Sequence, residues 1–433
     1  MIMVKTQSID SDKNQYSALF ILFSVWSFIL LCRPQDYLLF LGSLRPTLVV
    51  GVFTLLIYLL NPKEDYDKIF NSKQFRLFIY FLIIMIIGVP FSYYRSASLK
   101  DILNYGSIHV LFFLLFYQLV NSIQKIRLLL FSCCCGASIY AIFVLVLGEF
   151  SQGRIAYGNM FDPNDIAFFI ICFIAFNLLF LSKDNTSFVK LISIANLIIC
   201  VIVLLKSGSR SGFLACSTLF AYLFFVKTTT VNISLVKKLV LAMTVIVVLL
   251  SFNMLSERYR TILDVQDDYN VTAETGRITI WKIGLRLMMA KPLTGVGMNR
   301  FNEGVGRDRE ARGLLSTQWQ APHNSIVQVG AETGVFGLLL FCVMSFNVFN
   351  ITGKIRDNSR SEKLIRIAEM TRAGFIGHIV SAMFLGQAYS VYWIFYIILS
   401  AVLQRLLEKE QPVHESTQIK SSLYTYADHI RRS

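Results

Sequence analysis

Long apolar runs separated by short polar breaks fill most of the chain, and one extended hydrophilic stretch, residues 255–324, interrupts them. Runs at 17–32, 44–60, 74–93, 101–121, 126–148, 164–182, 188–206, 210–226, 234–254, 325–350, 371–387 and 389–406 predict about twelve helical spans. Most approach the roughly 20 residues that a helix needs to cross a bilayer's hydrocarbon. Arg45-Pro46 predicts an interfacial kink at the entry to the second span, and Gly386-Gln387-Ala388 is a weak break between the last two. The first apolar run, Tyr16 to Leu31, lacks a small-residue cleavage site and reads as a retained helix. The pattern divides the chain into an N-terminal bundle of about nine spans (1–254), a polar loop with an interfacial helix (255–324), about three C-terminal spans (325–406) and a polar tail (407–433).

Composition turns this pattern into a fold class. The 433 residues are 55% hydrophobic and only 16% charged, where a soluble chain carries about 25% charge. The mean hydropathy is +0.57, and thirty-six Phe and nineteen Tyr exceed what one water-soluble core can cover. The expected fold is therefore an all-α polytopic membrane protein.

A net charge of +14 would point to nucleic acid in a soluble protein; here it reports topology, and no nucleic-acid partner is expected. With the N-terminus inside, the inner segments hold 24 of the 41 Lys and Arg, the short outer loops seven and the long loop ten. That bias predicts both termini in the cytoplasm, and the long loop outside, in the periplasm of a bacterium. None of the eight cysteines falls in the loop, which argues against a disulfide framework there. Cys133-Cys134-Cys135 read as small apolar residues of a helix. Asp264, Asp267 and Asp268 read as solvated acids, so no metal is expected. No phosphate-loop, dinucleotide-binding or GxSxG pattern is present. No internal repeat marks an inverted-repeat transporter.

Chemistry concentrates at three helix starts on the predicted outer face. Thr275-Gly276-Arg277 opens a helix that runs to about Ala290, with Thr275 as the expected cap and Arg277 in the first turn. Ile278, Trp281, Leu285 and Met288 share one face and Lys282 and Arg286 another, the pattern of a helix lying in the headgroup layer. A cation in a first turn opposes the helix dipole unless an anion binds there, and free N–H groups beside a guanidinium suit a phosphate; a snorkelling arginine is the plainer reading. Pro322-His323-Asn324-Ser325 precedes the tenth span, with Ser325 as expected cap and Gln328 completing a capping box. His323, the single histidine of five predicted outside, then sits at the positive end of a dipole that favours the neutral imidazole a general base needs; the plainer reading is a polar pre-cap residue. In Lys206-Ser207-Gly208-Ser209-Arg210, two cations in a short outer turn invite an anionic partner, of which a phospholipid headgroup is the plain case. Asp162-Pro163-Asn164-Asp165 reads as a helix start capped by Asp162, Gly295-Val296-Gly297 as a turn, and Gly330, Gly334 and Gly337 as positions of close helix packing.

These pieces, in this order, resemble the O-antigen ligase and polymerase superfamily of bacterial membrane glycosyltransferases. The resemblance rests on Ser207 to Gly212, Thr275-Gly276-Arg277 with Trp281, Pro292-Leu293-Thr294-Gly295-Val296-Gly297 with Phe301, His323-Asn324-Ser325, and Glu332-Thr333-Gly334-Val335-Phe336-Gly337. It spans residues 155 to 345, with Asp162-Pro163-Asn164-Asp165 at its front. It implies a GT-C-like fold in the inner membrane, a periplasmic site and a glycan donor linked through diphosphate to undecaprenol. The acceptor would be lipid A–core in a ligase or a second lipid-linked glycan in a polymerase, with membrane lipids around it and no cofactor or metal. Carried over by position, Arg210 and Arg277 would bind the donor diphosphate, with Lys206 as a helper. His323 would orient or deprotonate the acceptor hydroxyl for an inverting displacement. The alternatives are a transporter of a small anion such as bicarbonate, which would place its charges deep in the spans, and a non-catalytic assembly protein, which would tolerate loss of His323.

Overall fold

The computed structural model describes residues 17–60, 68–151, 154–158, 162–226, 273, 276–313 and 319–410. Helices occupy eleven of the twelve apolar runs; the ninth, 234–254, lies outside the described residues, as do Asp264, Asp267, Asp268 and Thr275. In chain order the bundle helices are α1 (Ala18–Cys32), α2 (Pro46–Leu60), α3 (Lys73–Gly88), α4 (Arg95–Leu119), α5 (Ile123–Leu147), α6 (Pro163–Ile174, extended by a 3₁₀ stretch to Leu181), α7 (Ser187–Lys206) and α8 (Arg210–Phe225). Further along the chain come α9 (Arg277–Ala290), α10 (Phe301–Ala311), α11 (Ser325–Asn358), α12 (Glu362–Ala382) and α13 (Val391–Glu410). Among the described residues, seven spans are long and apolar enough to cross a membrane, and α1, α2 and α8 are apolar but shorter. The described residues thus form an all-α polytopic membrane protein with one exception. Glu149–Ser151 and Arg154–Ala156 pair as a small antiparallel hairpin, where backbone outside the spans satisfies its own hydrogen bonds.

Aromatic rings fill the centre. Phe23, Phe112, Phe116 and Phe395 meet edge to face or stacked at 5.6–6.2 Å, and Trp393 stacks on Phe341 at 4.3 Å. Some polar side chains inside pair across helices, which keeps those donors from facing hydrocarbon. Gln74 donates to Ser400 Oγ at 3.0 Å, Trp393 to Ser345 Oγ at 3.0 Å and Tyr396 to the Cys172 carbonyl at 2.7 Å. His109 binds the Tyr105 carbonyl of its own helix, and His378 faces Cys172 Sγ.

Each end of the bundle is tied by its own polar contacts. At one end Arg366 pairs with Asp184, Arg127 donates to Asn185, Arg405 caps the Tyr117 and Val120 carbonyls, and Ser359 donates to Glu410. At the other end Tyr157 donates to the Tyr37 carbonyl, Tyr93 N–H to the Val296 carbonyl, and Gln387 to Asp165. The second end carries every residue singled out for chemistry.

One helix is broken there on purpose. Gly334, inside α11, has φ 71° and ψ −170°, a conformation open in practice only to glycine. The hydrogen bonds lost at this break are supplied by the segment before α10. Val296 N–H donates to the Ala331 carbonyl, Gly297 N–H to Glu332, and Val335 N–H to Pro292, at 2.8–3.0 Å. Gly334 was expected to serve close packing of a continuous helix; it is instead the site of a kink that receives a loop. Glu332 completes the joint by accepting from the Phe301 N–H at 3.0 Å.

Candidate active site

Arg210, Arg277 and His323 each sit within a residue or two of a helix start, where backbone N–H groups remain free, whereas Lys206 ends α7. Asp162 caps α6 as the sequence predicts, accepting from Asn164 N–H at 2.6 Å and Asp165 N–H at 3.0 Å, with Pro163 in the first turn. Ser209 caps α8 through the Gly212 N–H at 3.2 Å, which puts Arg210 at the first helical position. Gly276 stands at the cap position of α9, one residue later than expected and with no side-chain cap bond, and Arg277 follows it.

The expected capping box at α11 is corrected. Asn324 is the cap, its side chain accepting from Ile326 N–H at 2.9 Å and Val327 N–H at 3.1 Å. Asn324 wins because its carbonyl reaches both amides from an extended backbone, whereas Ser325 is already helical. Ser325 Oγ is used elsewhere: it donates to the Leu385 carbonyl at 2.8 Å and accepts from Gln387 N–H at 3.0 Å. Gln328 closes no box; it is buried near Gly386.

The face of α9 also differs from expectation. Ile280, Ile283, Gly284 and Leu287 are its buried stripe, spaced three and four residues apart, while Ile278 and Leu285 are exposed. Gly284 lets the helix lie against Val327 and Phe301, and Gly330 faces Met288, so α9 rests across the first turns of α11. That crossing brings Arg277 to His323.

His323 is half-buried, and its backbone is left-handed, φ 46°, a strained conformation for a residue with a β-carbon. Burial lowers its pKa below the ordinary histidine value, the nearby Arg277 guanidinium lowers it further, and Asp162 opposes both. The imidazole is therefore neutral at pH 7, with a carboxylate in electrostatic reach to stabilise the imidazolium once a proton arrives. The sequence argument for neutrality rested on the helix dipole; burial and Arg277 are the larger causes.

The Arg210 turn joins this cluster through Asn164. Asn164 Oδ1 accepts from Ser209 Oγ at 3.0 Å and from Arg154 Nη2 at 2.9 Å, and Arg154 Nε donates to the Ser207 carbonyl at 3.1 Å. Three residues at the start of α6 thus serve three neighbours: Asp162 lies within electrostatic reach of His323, Asn164 holds the Arg210 turn, and Asp165 accepts from Gln387 at 2.8 Å. The Gln387 backbone N–H in turn holds Ser325, two residues from His323. Lys206, the last residue of α7, is exposed and points over the Phe150 ring at 5.8 Å. Among the described residues no group of three His, Cys, Asp or Glu is placed to hold a metal ion.

Arg154, Asn164 and Gln387 had no assigned chemistry in the sequence. Arg154 carried one visible signal, a cation outside the expected inner segments.

Residues 195–342 match the sequence family described as O-antigen ligase. This segment contains Lys206, Arg210, Arg277 and His323. Two relatives, both named "Putative polysaccharide ligase", come from Rickettsia bellii (strain RML369-C) and Rickettsia conorii (strain ATCC VR-613 / Malish 7). The first is 28% identical over 138 residues, 31% of this chain and 32% of the relative. The second is 24% identical over 152 residues, 34% of this chain and 35% of the relative. The similarity therefore spans about a third of each relative. Through residues 195–342, about a third of its length, this membrane protein is thus similar to the O-antigen ligase family.

Proposed function

We propose that the chain is an inner-membrane glycosyltransferase of surface-polysaccharide synthesis that moves a glycan from an undecaprenyl-diphosphate donor to an acceptor hydroxyl on the periplasmic face. The observation that carries this reading is the meeting of a neutral, half-buried His323 with Arg277 at one helix crossing, with the Arg210 turn tied to the same end of α6. His323 accepts the acceptor hydroxyl's proton as its oxygen attacks the anomeric carbon from the side opposite the diphosphate. The new carbon–oxygen bond forms while the bond to the diphosphate breaks, so the sugar's configuration inverts. Arg277 and Arg210 balance the charge that collects on the departing undecaprenyl diphosphate. Asp162 steadies the imidazolium until the proton leaves. No step in this scheme calls for a metal.

The basic-residue bias supports both termini in the cytoplasm and a periplasmic 255–324 segment, and the apolar runs support about twelve spans, about nine in 1–254 and about three in 325–406, with 407–433 as a tail. A ligase would use lipid A–core as acceptor, and a polymerase a second lipid-linked glycan. A path for a small anion such as bicarbonate would need its cations along the spans, whereas Arg210 and Arg277 stand at helix starts.

Single Arg210→Ala, Arg277→Ala and His323→Ala variants test the reading in a strain lacking the native copy. With protein levels matched, each is expected to lose surface polysaccharide on a gel. Normal polysaccharide from all three would refute the catalytic assignment. In the null strain, long lipid-linked polymer beside bare lipid A–core marks a ligase, and single-repeat products mark a polymerase.

A further inference from the structure

A second cationic site lies at the far end of α9, away from His323. A cleft of about 660 Å³ opens between the turn after α3 and the segment after α9. Its charged lining is Arg95, Lys291 and Arg307, gathered around Tyr93. The Lys291 ammonium lies 4.4 Å and the Arg307 guanidinium 4.2 Å from the centre of the Tyr93 ring. Lys291 also donates to the Phe91 carbonyl, which fixes its head in the cleft.

Among the described residues these cations have no carboxylate to answer them. Among the described residues, Arg95, Lys291 and Arg307 make no ion pair. The neighbouring acid, Asp308, is committed to Arg286 through two bonds of 2.9 and 2.6 Å and to Arg312 at 3.3 Å. Burial and the facing Arg307 both lower the pKa of Lys291, the mark of like charges held together. Such a cluster is stabilised when an anion enters it.

The rim says where that anion is attached. The cleft sits where the Lys73–Phe91 span ends, and Phe91 and Leu293 beside it are 55% and 62% exposed. Tyr94 adds a half-exposed aromatic ring at the same level, as is common where a membrane meets water. Cations above and bare apolar side chains below match a phosphate carried on a lipid tail. The site is separate from the one at His323: Lys291 follows Arg277 by fourteen residues of helix, about 20 Å at 1.5 Å per residue.

We infer that this cleft binds the phosphate headgroup of a membrane lipid, with Arg95, Lys291 and Arg307 as its anion contacts and Phe91 and Leu293 against the start of the acyl chains. The assignment does not depend on the glycosyltransferase reading.

The test uses the full chain purified in an uncharged detergent and titrated with dioctanoyl phosphatidic acid, with binding read by native mass spectrometry. Arg95→Gln/Arg307→Gln removes two exposed cations and is expected to weaken binding about thirtyfold, at about fivefold per cation. Arg95→Lys/Arg307→Lys is expected to restore most of it. Lys183→Gln/Lys354→Gln, which removes two exposed cations at the opposite end of the bundle, is expected to leave it within about twofold. Dioctanoylglycerol and inorganic phosphate are expected to bind far more weakly than the phospholipid. Unchanged affinity in Arg95→Gln/Arg307→Gln would overturn the site. Equal binding of dioctanoylglycerol would overturn the phosphate, and equal binding of inorganic phosphate would overturn the lipid.

Discussion

Replacing Asn324 by Ala removes the one side chain that caps α11 beside His323. The cap accepts two amides, Ile326 N–H at 2.9 Å and Val327 N–H at 3.1 Å, and Asn324 itself is 7% exposed. Ile326 is 38% exposed, so water can replace part of its bond; Val327 is less accessible and loses more. An average cap contributes about 1 kcal/mol, and one serving two amides with one poorly hydrated lies nearer the upper value of about 2 kcal/mol. Amide exchange measures this directly. At Ile326 and Val327, Asn324→Ala should speed exchange by about five- to thirtyfold, the factor that 1–2 kcal/mol represents. Amides in the middle of α13 should not change. Asn324→Asp keeps the acceptor and adds a charge favoured at a helix start, so it should preserve protection. Ser325→Ala supplies the contrast, because its hydroxyl binds Leu385 and Gln387 and no amide of its own helix. It should speed exchange at Gln387 and leave Ile326 and Val327 alone. If Ser325→Ala, and not Asn324→Ala, unprotected Ile326 and Val327, the cap would be misassigned and the placement of His323 with it.

Other outcomes follow from the site and from the kink at Gly334. Transfer activity should fall on the acid side at a pH below 6.5, because His323 acts as a base only when neutral and its folded pKa is lowered. Arg277→Gln should move the residual activity's acid limb to higher pH and Asp162→Asn to lower pH; identical profiles would remove both from the His323 environment. The same shift makes the folded state bind fewer protons than the unfolded one, so His323 contributes stability that is lost as pH falls through its folded pKa, visible as a lower unfolding temperature. Asn164→Ala strips the shared acceptor of Arg154 and Ser209 and should cost about 1–3 kcal/mol in holding the Arg210 turn, seen as a polysaccharide defect that Asn164→Asp largely repairs. Gly334→Ala should lower thermal stability by at least the 1–3 kcal/mol or so of a strained backbone, since its β-carbon would stand 2.6 Å from the Pro292 carbonyl oxygen. A variant as stable as the parent would refute that account of the kink.

Periodicity and charge made the architecture legible. Runs of Leu, Ile and Phe between polar breaks report spans whatever lies beside them, so helix positions emerged from local pattern alone. Arg277, Arg210 and His323 were legible for the same reason, each being an unusual residue at a helix start. What stayed hidden was pairing. Nothing near Asn164 announces that Arg154 and Ser209 will share its oxygen, since those partners are ten and forty-five residues away. Asn324 and Ser325 are both good caps, and only Leu385, sixty residues on, decides which of them is occupied elsewhere. The buried stripe of α9 was misread because the helix is apolar on two sides, and periodicity cannot rank two faces without the neighbour that covers one.

The splice at Gly334 bears on how such proteins can be recombined. The backbone of residues 292–297 finishes the hydrogen bonding of α11, so the extramembrane segment and the span after it are one folding unit with a shared seam. A chimera that exchanges the segment alone leaves amides exposed at membrane depth, while one that carries residues 277–341 together keeps the seam intact. Diversification in this protein is then expected to proceed by whole loop-and-span cassettes, with crossover points on the far side of the kink.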